Sequence, residues 1–282
     1  MRDAPALSFT IVRILIAGAV LILLALRLPR PRLSSVPWRS LAAAGLAQTA
    51  FQLLLFEGLA RTSASISAIL LATAPLMTAV WLVARGQQRM GPLAWLGLGM
   101  GLAGVALVVR TDGTGLAGTT LVGNLIAIGA AVAWAWYGLV IGPLARAIGP
   151  VGATATSLTV SALVLTPLGL PELLSVNWAG VSAPAWVGIL YGSLLGLVLA
   201  TLLWVRSIQR WGTQPTMNYG YVEPVAAVAI AALLLGEALH PLQGIGALLA
   251  LTGVYLASEM PLLTASEPAS SEKVTRSPVS LD

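Results

Sequence analysis

Apolar residues along this chain come in long, nearly unbroken blocks. A half-buried strand would alternate, and a surface helix would show only a stripe. A helix crossing a bilayer needs roughly 20 mainly apolar residues. Nine stretches meet that description: 8–28, 38–60, 64–84, 91–109, 121–144, 151–170, 184–205, 213–235 and 241–258. Short joints rich in Pro, Gly and Arg separate them. The pattern predicts an all-α membrane protein with nine transmembrane helices. The first block, from Ser8 to Leu28, exceeds the roughly 7–15 apolar residues of a cleaved leader, so it is read as a mature span. Residues 260–282 are rich in Ser, Glu and Pro and are expected to form a disordered cytoplasmic tail.

Composition removes several classes of function. Hydrophobic residues make up 57% of the chain and charged residues 9%, whereas a soluble domain carries about 25% charged residues. There is no Cys, which excludes a disulfide framework, a thiolate metal site and a Cys nucleophile. The single His, His240, argues against a His-based metal centre. A net charge of +5 would suggest nucleic acid if the basic residues clustered, but most of them flank the apolar blocks. Eleven fall on one side of the predicted spans: Arg27, Arg30, Arg32, Arg39, Arg85, Arg89, Arg146, Arg206, Arg210, Lys273 and Arg276. The other side receives Arg2, Arg61 and Arg110. The excess of positive charge on cytoplasmic loops places the first set and the C-terminus in the cytoplasm. The implied partners are the lipid bilayer and a small-molecule substrate, with no nucleic acid. The implied location is the cell (inner) membrane, crossed many times. Oligomeric state leaves no signature.

The chain also repeats itself. A shift of 149 residues aligns Pro75 with Pro224, Pro92 with Pro241, Gly97 with Gly246 and Gly104 with Gly253. The same shift aligns Val105 with Val254, Arg61 with Arg210, Leu53 with Leu202 and Ser8 with Ser157. Helices one to four thus match helices six to nine, and the fifth would match positions before residue 1. The reading is a first repeat of four helices over 1–110 and a second of five over 121–259. A five-helix unit repeated in tandem faces opposite ways in the membrane, which is an inverted repeat. A mis-assigned start would account for the missing opening helix.

These residues resemble a known family. Leu234 to Leu239, which includes Gly236 and Glu237, is followed by Pro241, Gly244, Gly246 and Gly253 to Leu256. Together they are similar to the closing signature of EamA-type domains of the drug/metabolite transporter superfamily. Ala68 to Pro75 followed by Gly97 to Leu107 resembles the same ending in the first copy, and Ser8 to Leu28, with Arg13 inside, resembles the first copy's second helix. Gln88 stands where the first copy often carries the Glu matching Glu237. The resemblance implies a ten-helix pattern, here without its first helix, cytoplasmic termini, and transport of small organic solutes, often outward.

Charged groups inside spans cost roughly 2.5–3.5 kcal/mol on insertion scales, so each asks for a reason. Glu223 lies near the middle of the eighth span, followed by Pro224, and is the leading candidate for proton coupling or substrate binding. Arg13 and Glu57 lie towards the outer ends of adjacent spans and could pair across the helix interface, as a structural ion pair first and as a coupling or gate pair second, with Arg61 as an alternative partner for Glu57 one turn on. Polar and aromatic groups collect elsewhere. Gln48 and Gln52 lie one turn apart on the second span. Trp134 and Tyr137 lie on the fifth, and Gln214, Asn218 and Tyr221 run down the eighth. Such groups hydrogen-bond an amphipathic solute and stack on its apolar part. They serve equally as interhelical glue and interfacial anchors. Gly188, Gly192 and Gly196 form two overlapping Gly-x-x-x-Gly steps and are read as a helix-packing stripe.

Hydrolase, zinc-protease and phosphate-loop signatures are missing, so no enzyme is expected. No metal and no cofactor are expected; a proton is the coupling ion that Glu223 would carry. The sequence reads as a secondary transporter of small organic metabolites, such as amino acids or drug-like solutes, working by alternating access. Two other readings stay open: a lipid-linked or nucleotide-sugar carrier of the same superfamily, and a non-transporting membrane scaffold.

Overall fold

The computed structural model describes residues 5–28, 36–62, 67, 70–110, 121–223, 225–226 and 241–258. The elements among them are all helical: α1 (Ala6–Leu26), α2 (Trp38–Arg61), α3 (Ala74–Ala84), α4 (Pro92–Arg110) and α5 (Leu121–Ser175), then α6 (Ala183–Tyr191), a π segment (Gly192–Ala200), α7 (Thr201–Trp211), α8 (Thr213–Asn218) and α9 (Pro241–Ser258). Single 3-10 turns cover Trp178–Gly180 and Tyr219–Tyr221.

Prolines start many of these helices. Pro5 and Pro37 immediately precede α1 and α2, Pro75 sits in the first turn of α3, and Pro92 and Pro241 open α4 and α9. The first turn has no use for the missing N–H, so a proline there fixes φ at no hydrogen-bonding cost.

Helix α5 is two helices in one run. At Gly149 the backbone takes φ 76° and ψ 163°, a conformation open essentially to glycine alone, and Pro150 starts the next helix. The arms 121–148 and 150–175 fold back on each other, since Tyr137 Oη meets Ser157 Oγ at 3.3 Å although the residues stand on opposite sides of the bend.

Packing follows from small residues. The first arm of α5 runs antiparallel to α2: Gly58 lies against the Ala127 backbone and Gly123 against the Arg61 carbonyl. The second arm takes α1, with Ile11, Ile14 and Leu21 buried against Leu158 and Leu165. Glu172 Oε1 accepts hydrogen bonds from the amide and hydroxyl of Ser8, both 3.0 Å, closing the first turn of α1. Helices α4 and α9 also run antiparallel. A Cβ placed at Gly97 would stand 2.7 Å from the Ala257 amide and 2.8 Å from the Gly253 carbonyl, while Gly104 faces the Gly246 carbonyl and Ala250.

Four helical stretches among the described residues are long and apolar enough to cross a membrane: Leu7–Leu26, Trp38–Arg61, Leu121–Ser175 and Ala183–Trp211. Residues 74–84, 92–107 and 244–257 form shorter apolar helices. Many large apolar side chains point outward, with Leu163 at 70% and Leu248 at 72% exposure. Such a surface suits hydrocarbon rather than water.

The expected spans 64–84 and 213–235 lie partly outside the described residues, as does the expected tail. Two boundaries differ from the expectation. The second arm continues past residue 170 to Ser175, where Leu173 packs on the α1 core and Trp178 Nε1 caps its carbonyl at 3.0 Å. Helix α7 continues past residue 205 to Trp211 because its end is amphipathic: Val205 and Ile208 are buried while Arg206 and Arg210 are exposed.

Candidate functional site

On α2, Gln48 and Gln52 are 1% and 3% exposed, although both side chains are strongly polar. They share the helix face with Phe56, since four residues make about one turn. The Gln48 side-chain oxygen, Oε1, has no hydrogen-bond partner among the described residues. A buried amide left half-satisfied costs about 1–3 kcal/mol, which makes it a candidate contact for something that comes and goes.

Next to this face, four aromatic rings meet. Trp134, on the first arm of α5, stands 4.6 Å from Phe51 on α2 and 4.4 Å from Trp204 on α7, centroid to centroid. Tyr137, one turn on, stacks on Trp134 at 5.6 Å and on Trp204 at 5.7 Å. Tyr137 is fully buried, its hydroxyl held by Ser157. Trp134 also packs against the buried cluster of Ala74, Ala131 and Ala135, as do Leu71 and Met77, so α3 joins the same junction. Helix α8 closes it: the Thr213 hydroxyl donates to the Gly138 carbonyl at 3.1 Å, and Met217 and Trp204 crowd the α-carbon of Gly138.

The amides of α8 act differently. Gln214 Nε2 donates to the Pro75 carbonyl at 3.1 Å and to Asn218 Oδ1 at 2.9 Å, and Asn218 Nδ2 donates to the Ala257 carbonyl at 3.4 Å. They fasten α8 to α3 and α9. Gln214 Oε1 and the Tyr221 hydroxyl remain buried and without a partner among the described residues. The Tyr221 ring lies over Gly101 on α4.

The structure therefore sorts the sequence candidates. Gln48 and Gln52 share one buried face of α2. Trp134 and Tyr137 form an aromatic group with Phe51 and Trp204, two residues that sequence reasoning passed over. Trp204 precedes Arg206 near the end of a predicted span, where a Trp reads as an interfacial anchor. Gln214, Asn218 and Tyr221 belong to the junction of α3, α4, α8 and α9. Glu223 follows Tyr221 by two residues with an exposed side chain.

Arg13 and Glu57 do not pair. Glu57 takes Arg61, one turn on along the same helix, and both side chains are open to the surroundings, at 36% and 46% exposure. Arg13 instead donates from Nη2 to the Gly192 carbonyl at 3.0 Å, its guanidinium 5.7 Å from the Phe9 ring and 5.6 Å from the Phe56 ring. An exposed pair one turn apart contributes about 0.3–0.5 kcal/mol. Glu57→Gln is accordingly expected to leave the melting temperature in detergent within about 2 °C of wild type; a drop well beyond that would show that Glu57 has a further partner.

No group of three His, Cys, Asp or Glu comes together among the described residues. An open depression of about 400 Å³ lined by Pro5, Ser175, Val176, Asn177 and Gly180 lies at the ends of α1 and α5. Ser175 is 18 residues along the helix from Ser157, about 27 Å, so this depression is remote from the aromatic group. The aromatic and amide groups offer stacking and hydrogen bonding without a nucleophile or a paired acid and base, which is the chemistry of binding.

Comparison with known proteins supplies the family. The profile of the EamA-like transporter family matches residues 1–110 and 121–259. The chain belongs to the EamA-like transporter family. An uncharacterized transporter of Synechocystis is 23% identical over 92% of this chain and 83% of its own length. The uncharacterized transporter YwfM of Bacillus subtilis is 24% identical over 92% of this chain and 86% of its own. The uncharacterized inner membrane transporter YedA of Escherichia coli (strain K12) is 30% identical over 63% of this chain and 56% of its own. A solved crystal structure shares the fold, with a TM-score of 0.74 at 18% identity over 90% of this chain and 88% of that one. This EamA-like protein is thus a membrane transporter of the drug/metabolite transporter superfamily, a family of carriers rather than enzymes.

Proposed function

We propose that this EamA-like protein is a secondary transporter that moves small organic metabolites, such as amino acids or drug-like solutes, outward across the cell membrane by alternating access. The observation that carries the reading is the aromatic junction. Phe51 comes from α2, Trp204 from α7, and both meet Trp134. Under the 149-residue shift Trp204 corresponds to position 55, one turn from Phe51. The two halves thus each supply a ring to one central place, where a solute would be held between them.

The α4–α9 contact supports an inverted repeat. Gly97 faces Gly253 and Gly104 faces Gly246. The shift maps Gly97 onto Gly246 and Gly104 onto Gly253. Exchanging the halves therefore turns each contact into the other, as a two-fold axis requires. Equivalent helices that run antiparallel belong to halves of opposite orientation, the arrangement from which alternating access follows by rocking one half on the other. The basic residues favour cytoplasmic placement of residues 260–282.

The test is counterflow in liposomes carrying the purified full chain, screened with labelled amino acids, nucleobases and cationic drugs. At least one class should accumulate above protein-free liposomes; a folded protein that moves none of them sinks the reading. Glu223→Gln should lower transport at least about threefold with the melting temperature unchanged, since an amide cannot carry a proton. Transport equal to wild type at every pH would remove Glu223 from the mechanism.

A further inference from the structure

Arg13 is a cation inside a membrane span, and among the described residues no acidic side chain pairs with it. Among the described residues Arg61 and Glu57 form an ion pair with each other, and the recorded hydrogen-bond partner of Arg13 is a neutral carbonyl, that of Gly192. Guanidinium offers five N–H donors. Here Nη2 is used once, and Nε is buried without a partner among the described residues. Leaving such a group in a span is expensive, so its retention calls for a compensating contact.

The surroundings are shaped for the guanidinium. A Cβ at Gly192 would come within 2.6 Å of Arg13 Nε, and one at Gly196 within 3.5 Å of Nη2. The glycines of this segment therefore make a slot for a side chain rather than a seam for a second helix backbone, and Gly188 has nothing within 4 Å. The slot lies at the start of the π segment, and π turns gather at functional sites. The Phe9 and Phe56 rings stand beside the guanidinium as apolar neighbours of the charge. Phe56 is one turn, about 6 Å, beyond Gln52 and two beyond Gln48 on the buried face of α2, and the Arg13 guanidinium stands 5.6 Å from its ring.

We propose that Arg13 is a specificity-determining residue that reads a carboxylate on the transported solute. This rests on the transporter reading above. A guanidinium fork matches a carboxylate with two parallel charge-assisted hydrogen bonds, and a low-dielectric, ring-walled site strengthens them. One cation suits one negative charge; a phosphate monoester, with nearly two, would call for further basic groups at the site. The solute thus carries its acid to Arg13 and lays its body along the Gln48 and Gln52 face.

The experiment uses the full chain in lipid nanodiscs and two tritiated probes that differ only in charge, N-acetylphenylalanine and its amide. Wild type should bind the acid at least about tenfold more tightly than the amide, as a hydrogen bond to a charged group contributes about 1.5–3 kcal/mol. Arg13→Gln should bring that ratio close to one by weakening the acid at least about tenfold more than the amide, whereas loss of a purely structural Arg would weaken both probes alike. Arg13→Lys, which keeps the charge and loses the fork, should retain part of the preference and decides the matter if the Gln variant does not fold. Equal binding of both probes by wild type, absence of acid binding at millimolar concentration, or an undiminished ratio in either variant overturns the proposal. Selective binding without any counterflow in liposomes would instead leave Arg13 its role and remove the transporter reading.

Discussion

Gly253→Leu should prevent the purified protein from forming a monodisperse bundle. A Cβ at residue 253 would run into the Gly101 amide and α-carbon and the Gly97 carbonyl, all backbone atoms of α4. Overpacking against side chains costs about 1–3 kcal/mol because rotamers can give way. Backbone inside a helix cannot, so α4 and α9 must separate along their whole length. That also breaks the contacts of Gly97 with Ala257 and of Gly104 with Gly246 and Ala250, and uncovers buried Leu98, Val105 and Ala250. The loss should be at least about 3 kcal/mol, the upper end of the overpacking range. Fluorescence-detected size exclusion after a temperature ramp measures it. Gly99→Leu and Gly244→Leu are the controls: these glycines sit on the same two helices with nothing within 4 Å, and their variants should elute and melt like wild type. A Gly253→Leu protein that melts with the controls would mean that α4 and α9 do not pack through this face.

The glycine pairs show what a sequence carries and what it does not. The 149-residue shift identifies Gly97 with Gly246 and Gly104 with Gly253, because backbone-close positions must stay small in both copies. It does not say which glycine touches which. The observed contacts run crosswise, Gly97 to Gly253 and Gly104 to Gly246, a consequence of antiparallel packing. Arg13 teaches the same point. Spacing puts it level with Glu57 on the neighbouring span, but a helix has several faces, and Glu57 has a partner one turn away at Arg61. The glycines at 192 and 196 looked like a packing stripe because small residues are all that the sequence displays; what fills the space comes from α1, nearly 180 residues earlier. The Gln48 and Gln52 face was legible, since polar residues one turn apart in an apolar span stand out. Phe51 and Trp204 were not, since an aromatic in an apolar block looks the same facing lipid as facing another ring. The fold class needed only the apolar blocks and the Pro and Gly joints between them, with Gly149–Pro150 as the sharpest.

Trp134→Ala should reduce transport at least about fivefold, whereas Trp134→Phe should keep it within about threefold of wild type. Trp134 touches Phe51, Tyr137 and Trp204, and it packs on the buried cluster of Ala74, Ala131 and Ala135. Each aromatic contact contributes about 0.5–1.5 kcal/mol beyond burial, so losing two faces of the ring removes roughly 1–3 kcal/mol, a factor of about 5–150. The comparison of the two variants separates binding from folding. Alanine also leaves a cavity among Ala131, Ala135 and Met77, and a large-to-small change of this kind costs about 3–5 kcal/mol of stability. Phenylalanine fills most of that space and keeps a π-face towards Trp204, but it lacks the indole N–H. Transport by the Phe variant close to wild type would make the stacking surface the part that matters. Transport as low as in the Ala variant, in a protein that melts normally, would assign the role to the indole N–H as a hydrogen-bond donor to the solute. Full transport by Trp134→Ala would move the binding place away from the junction of α2, α5 and α7 and leave the unsatisfied oxygens of Gln48 and Gln214 as the next group to examine.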